Sequence, residues 1–236
     1  MKKNLIIFIS GLFLLFMGII GERMMNTDQT KNKRTYLALG DSYTIGEKVS
    51  ISERWPVRLV KKLADMGMEI EDPTIIATTG WTTGELIDGI NKAELSGAYD
   101  LVSLLIGVNN QYRGNSISEF RTEFIQLLNT AIKLSGNRRE RVFVLSIPDW
   151  GVMQFAKERN SEKITEEIDL FNKVSKEETE KMGIGYFDIT GISRKAEKNP
   201  ALIAVDSLHP SGKMYRLWVE KIAVDVAALL RKVNGE

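Results

Sequence analysis

Tyr36-Leu37-Ala38-Leu39-Gly40-Asp41-Ser42 is a run of four apolar residues stopped by a glycine and followed by two short polar side chains. So short an apolar run, bounded by a turn signal, reads as a strand buried on both faces, the form strands take in a parallel sheet. The pattern then switches to a helical period, because Trp55 to Met66 sets Val57, Leu59, Val60 and Leu63 on one face. The alternation recurs. Thr74 to Ala77 reads as a strand running into Thr78-Thr79-Gly80, Glu85 to Ala93 as a short helix, Leu101 to Ile106 as a strand ending at Gly107, and Ile117 to Leu134 as a long helix. Val142 to Ile147 is a strand closed by Pro148, Glu162 to Met182 a charged amphipathic helix with a solvated face, and Tyr186 to Ile189 a strand. A final helix runs from about Ser211 to Val233. Five short strands alternating with helices require parallel pairing through right-handed crossovers. The expected fold is therefore α/β: a three-layer α/β/α sandwich with a mostly parallel five-stranded sheet, flavodoxin-like in its layering.

The chain has 236 residues, 43% hydrophobic and 27% charged, which suits one globular domain of roughly 200 residues. Its 32 Lys+Arg and 31 Asp+Glu leave a net charge of +1 with no basic block, so no nucleic-acid partner is expected. The absence of cysteine excludes disulfides, thiolate metal sites and a cysteine nucleophile, and the single histidine excludes a histidine-cluster metal site. Neither a metal nor a cofactor is implied.

Met1-Lys2-Lys3 followed by Leu5 to Ile20, interrupted only by Ser10, Gly11 and Gly18, has the charged start and apolar run of an export segment. As a helix it would reach ~24 Å against a hydrocarbon core of ~30 Å, tolerable if the bilayer thins, so it reads equally as a cleaved signal or a retained anchor. Residues 1–21 are assigned to this segment, 22–34 to a polar linker and 35–236 to the folded domain. The expected location is extracytoplasmic, secreted, periplasmic or anchored to a membrane through residues 5–20.

Ligands of parallel sheets bind outside the carboxyl ends of the strands. Gly40-Asp41-Ser42, Thr79-Gly80-Trp81 and Gly107-Val108-Asn109-Asn110 follow the first three strands, and Asp206-Ser207-Leu208-His209-Pro210 precedes the last helix. A serine hydroxyl is a weak nucleophile unless a base, usually an imidazole oriented by a carboxylate, takes its proton. With one histidine in the chain, such a base is His209, and Asp206 three residues earlier lies within one turn of it. Ser42, in a tight turn after the first strand, is where a nucleophile would be exposed. It does not sit in the G-x-S-x-G elbow of α/β hydrolases.

Together the four loops resemble the GDSL/SGNH hydrolase family, marked by Gly-Asp-Ser near the start, an isolated Gly, a Gly-x-Asn and a terminal Asp-x-x-His. Here these stand as Gly40-Asp41-Ser42, Gly80, Gly107-Val108-Asn109 and Asp206-Ser207-Leu208-His209, in family order, and the resemblance extends over about Thr35 to Leu230. It implies Ser42 as nucleophile, His209 as base, Asp206 as its partner, and an oxyanion hole made by the Ser42 and Gly80 backbone N–H groups and the Asn109 side-chain amide. Tyr43 and Asn110 depart from the Leu and Asp common at those family positions. The second departure removes a carboxylate beside the oxyanion hole; Asn110 is expected to point away from the chemistry and to matter mainly to the loop.

The resemblance implies ester hydrolysis through an acyl-enzyme, on a small-molecule or glycan ester, with lipid esters and acetylated envelope sugars as the candidates for an exported enzyme. Acyl transfer to an envelope glycan, and a non-catalytic surface module of the same fold, are the alternatives. Simpler roles stand beside each assignment: Ser42 as a turn cap, Asp206 and His209 as the turn before a helix capped by Ser211, and Asn109 as a turn former. Tyr43, Trp81 and Tyr112 belong either to the substrate pocket or to the core.

Overall fold

The computed structural model describes residues 33–231; the expected export segment and all but the end of the linker lie outside the described residues. Among the described residues no helix is long and apolar enough to cross a membrane. Five strands, β1 (Tyr36–Gly40), β2 (Thr74–Ala77), β3 (Leu101–Leu105), β4 (Val142–Leu145) and β5 (Gly185–Phe187), form one sheet in the order β2-β1-β3-β4-β5, with every pairing parallel. The sheet is thus wholly parallel. Every residue of β1, β3 and β4 is buried, as continuous apolar runs require when helices cover both faces.

The helices that supply the cover are α1 (Ser42–Ile45), α2 (Trp55–Asp65), α3 (Thr83–Lys92), α4 (Val108–Tyr112), α5 (Ile117–Leu134), α6 (Ser161–Lys181), α7 (Thr190–Ser193) and α8 (Gly212–Arg231). α2 packs against α8, while α5 packs against both α3 and α6, giving two helical layers around the sheet. Local chemistry sets their starts. Thr82 and Glu85 form a capping box on α3, Ser116 accepts from the Glu119 N–H at the start of α5, and Asn160 accepts from Lys163 at the start of α6. Aromatic side chains lock the layers: Trp55 stands edge-on to Phe143 at 6.4 Å, and Phe120 meets Phe171 at 4.7 Å.

Element order and type follow the sequence expectation, with three short helices added, of which α7 (Thr190–Ser193) begins directly after the expected last strand. Ser42–Ile45 and Val108–Tyr112, expected as loops, are short helices; at four and five residues neither is long enough to carry a hydrophobic period. β4 and β5 also stop early, because the Ile189 and Thr190 N–H groups leave the ladder and donate to Ser146 Oγ at 2.8 and 3.1 Å. α6 is not solvated throughout its charged face: Glu178 is buried and paired with Arg121 and Lys181. After β1 the chain turns one way to make β2, then crosses back over β1 to make β3. The crevice outside the ends of β1 and β3 is therefore the switch point where such sheets bind ligands.

Candidate active site

β1 leads into the site through Gly40, where a Cβ would run into the Thr44 side chain and the Leu105 carbonyl, so only glycine lets the chain turn this tightly. Asp41 then caps α1: its Oδ1 accepts from the Tyr43 N–H at 3.0 Å, and its carbonyl accepts from Thr44 and Ile45. Ser42 becomes the first residue of that helix.

His209 Nε2 lies 3.0 Å from Ser42 Oγ, and His209 Nδ1 lies 2.6 Å from Asp206 Oδ2. The other Asp206 oxygen accepts the backbone N–H groups of Leu208 and His209 at 3.1 and 3.0 Å. Burial opposes ionisation of Asp206, but the His209 ring and the two backbone donors outweigh it and hold the carboxyl below its ordinary value. The loop is pinned from outside by a hydrogen bond from Phe155 N to Ser207 O and by pairing of Ile203 with Pro210. Ser211 Oγ accepts from Met214 N at 3.4 Å, so the residue expected to cap α8 does so while the loop before it holds the histidine. Tyr43 backs the imidazole edge-on at 5.7 Å.

Opposite this line lie the other two loops. Gly80 has φ +86°, its carbonyl is held by Arg113 at 2.6 Å, and Arg113 is itself paired with Glu85. Gly107 has φ +125°, with no room for a Cβ beside Phe120 and Ile147. Asn109 donates one amide N–H to the Trp81 carbonyl at 2.9 Å, leaving its second N–H unassigned. Ser42, Gly80, Asn109 and His209 share one cavity of about 160 Å³, whose remaining wall includes Tyr43, Val108, Tyr112, Trp150, Phe155 and Leu208. The three loops and the last turn converge as expected, and Tyr43 and Tyr112 belong to the wall. Trp81 does not; its indole lies on α3 at Gly89, where a Cβ would strike the ring.

Asn110 is fully buried and turned away from the cavity residues. Its Oδ1 accepts the Thr83 N–H at 3.0 Å and its Nδ2 donates to Thr83 Oγ1 at 2.7 Å, while the Thr83 hydroxyl donates to Glu123. The amide thus ties the α4 segment to the start of α3. A carboxylate here would lack the donor that leaves the Thr83 proton free for Glu123.

Sequence reasoning passed over the segment after β4. Asn172 on α6 brackets Ile147, accepting from its N–H at 2.7 Å and donating to its carbonyl at 3.0 Å. Buried Asp149 accepts from Gly151 N, Thr165 Oγ1 and Arg194 Nε. Trp150 Nε1 donates to Gln111 at 2.7 Å, which fixes the indole in the cavity wall. The available signal was position: Pro148-Asp149-Trp150 also leaves the carboxyl end of a strand.

Asp41 yields a prediction about stability. It is fully buried, its Oδ2 has no partner among the described residues, and burial, only partly offset by backbone hydrogen bonds, pushes its pKa up to about 7. The folded chain then keeps a proton that the unfolded chain releases near pH ~4. Stability contributed by this group therefore falls as pH rises from about 4 to about 7 and stays lower above. Asp41→Asn, which cannot ionise, should gain in Tm relative to the natural chain on going from pH 5 to pH 8. Thermal melts at both values check this, and an unchanged gap would contradict it.

Comparison with known proteins agrees with this fold. A model of the GDSL-like lipase/acylhydrolase family matches residues 38–217. No curated protein matches the chain. Among solved structures, TesA is 17% identical with a TM-score of 0.67, covering 83% of this chain and 99% of its own. The lipase/acylhydrolase of Enterococcus faecalis is 25% identical with a TM-score of 0.62, covering 83% and 96%. The acetylxylan esterase of Geobacillus stearothermophilus is 16% identical with a TM-score of 0.62, covering 82% and 94%. With the family model spanning the first strand to the last helix and the four marker loops gathered around one cavity, the chain belongs to the GDSL-like lipase/acylhydrolase family.

Proposed function

We propose that the protein is a serine esterase whose acyl-enzyme forms on Ser42. The observation that carries this reading is the continuous line from Ser42 Oγ to His209 Nε2 at 3.0 Å and from His209 Nδ1 to Asp206 at 2.6 Å. Ser42 Oγ attacks the ester carbonyl and forms the new C–O bond as His209 accepts its proton; Asp206 orients the imidazole and stabilises its charged form. The growing oxyanion is received by the Ser42 and Gly80 N–H groups and the spare Asn109 N–H. The tetrahedral intermediate collapses, the alcohol leaves with the proton from His209, and water repeats the sequence to free the acid and Ser42. Two catalytic mutants of the Geobacillus esterase replace a histidine and an aspartate three positions before it, the spacing of Asp206 and His209, which supports the assignment.

The cavity favours short acyl groups. At about 160 Å³ it resembles the cavity of about 150 Å³ that holds one benzene, so chains up to roughly six carbons should be preferred. Initial rates on acyl esters of graded length test this, and a preference for chains of about twelve carbons or more would count against it. A fluorophosphonate probe tests the chemistry: the natural chain should be labelled and Ser42→Ala should not. Residues 1–21 act in this reading as the export segment, and a chain starting at Asn26 should be soluble and active; loss of folding in that shortened chain would argue that the segment belongs to the core.

A further inference from the structure

Arg159 stands apart from most of the described arginines. Arg58, Arg113, Arg121, Arg138, Arg194 and Arg216 each hold a carboxylate. Arg159 is exposed, and among the described residues no carboxylate forms an ion pair with it. It instead faces three aromatic rings, Tyr112 at 5.1 Å, Phe155 at 5.3 Å and Trp150 at 5.5 Å from the ring centres. One of its N–H groups donates to the Tyr112 hydroxyl at 3.1 Å.

Those three rings line the cavity that also contains Ser42 and His209. Trp150 is 3% exposed and is the inner member, whereas Tyr112 and Phe155, at 46% and 41%, lie at the opening. The rings hold the guanidinium without neutralising it, so its planar fork is oriented while most of its donors stay free. Such a group suits bidentate pairing with a carboxylate or phosphate. Elsewhere on the cavity wall Thr79 donates to Glu47 at 2.6 Å, and Glu47 is paired with Lys48.

We infer that Arg159 makes the mouth of the cleft a subsite for a negative charge, phosphate or carboxylate, carried by the substrate away from its scissile ester. The inference rests on the esterase reading of Ser42 and adds what the far end of the substrate bears. An ester of this class places its carbonyl at Ser42, its apolar part against Tyr112 and Trp150, and its anion on the guanidinium. Arg159 touches substrate only through that anion, so it sets specificity and leaves the bond-making steps alone.

Two matched pairs of esters test it, one varying charge on the acyl side (p-nitrophenyl butyrate against p-nitrophenyl hemiglutarate) and one on the alcohol side (acetylglycerol against acetylglycerol phosphate). The natural chain should favour the anionic member of at least one pair. Arg159→Gln should raise KM for that member by roughly 10-fold, keep kcat within about two-fold, and leave the neutral member unchanged. Arg159→Lys should keep part of the preference, and about 0.5 M salt should shrink it in the natural chain. No charge preference in either pair, or equal effects of Arg159→Gln on charged and neutral members, would overturn the inference while the esterase reading stands. Failure of the natural chain both to cleave any of the four esters and to take up the fluorophosphonate would overturn both.

Discussion

Ser42→Ala and His209→Ala should each lower kcat by roughly 10⁴–10⁶, and the double variant should be scarcely worse than either single one. The reason lies in the hydrogen-bonded line itself. Without His209 the Ser42 hydroxyl has no base, since this is the only imidazole in the chain; without Ser42, His209 has no proton to take for the attack. Each deletion removes the same step, so the losses cannot add. Asp206→Asn should cost less than either, because it leaves the nucleophile and base in place but disturbs the tautomer set by the 2.6 Å contact. Steady-state kinetics with melting temperatures for all four variants make the check. Near-natural turnover by His209→Ala would end the assignment, and so would a double variant whose loss equals the product of the two single losses.

Replacing Asn109 and Asn110 separately should give opposite signatures. Asn109 lines the cavity and has an N–H to spare, so Asn109→Ala should lower kcat by roughly 10²–10³ with little change in KM, since an oxyanion donor acts mainly in the transition state. Asn110 is buried and answers both the N–H and the hydroxyl of Thr83. Asn110→Ala strands a buried donor at a cost of about 1–3 kcal/mol, which should lower Tm by several degrees. Its effect on kcat should be the smaller of the two. A catalytically crippled Asn110→Ala beside a natural-like Asn109→Ala would show that the register of the oxyanion loop had been read one residue out.

The layering and the loops that meet at the cavity were legible because their signals are local. Leu101 to Leu105 needs only its own apolar run to declare itself, and Ile117–Leu134 shows a helical period over many turns. The line from Ser42 through His209 to Asp206 was legible by scarcity as much as by motif, since the sequence holds one histidine. What stayed hidden depends on neighbours distant in sequence. Nothing near Asn110 announces Thr83, and nothing near Ile147 announces that Asn172, 25 residues on, will satisfy its backbone groups. The four-residue α1 owes its place to the Asp41 cap and to the lack of room at Gly40, neither of which leaves a periodic trace. Arg159 was invisible for the same reason: its meaning comes from three rings contributed by two separate segments.

The hydrogen bond between His209 and Ser42 joins residues 167 positions apart, one just after the first strand and the other just before the last helix. During synthesis at ~5–20 residues per second, Ser42 therefore leaves the ribosome roughly 8 to 33 s before His209. For that interval the emerging chain can begin to collapse around β1 and β3, yet its serine is chemically inert. If Ser42 acts with His209 as proposed, turnover needs the 206–209 turn, which leads into α8, and α8 packs on α2. A chain cut between Leu202 and Asp206 would keep every residue of the sheet but lose the proposed base.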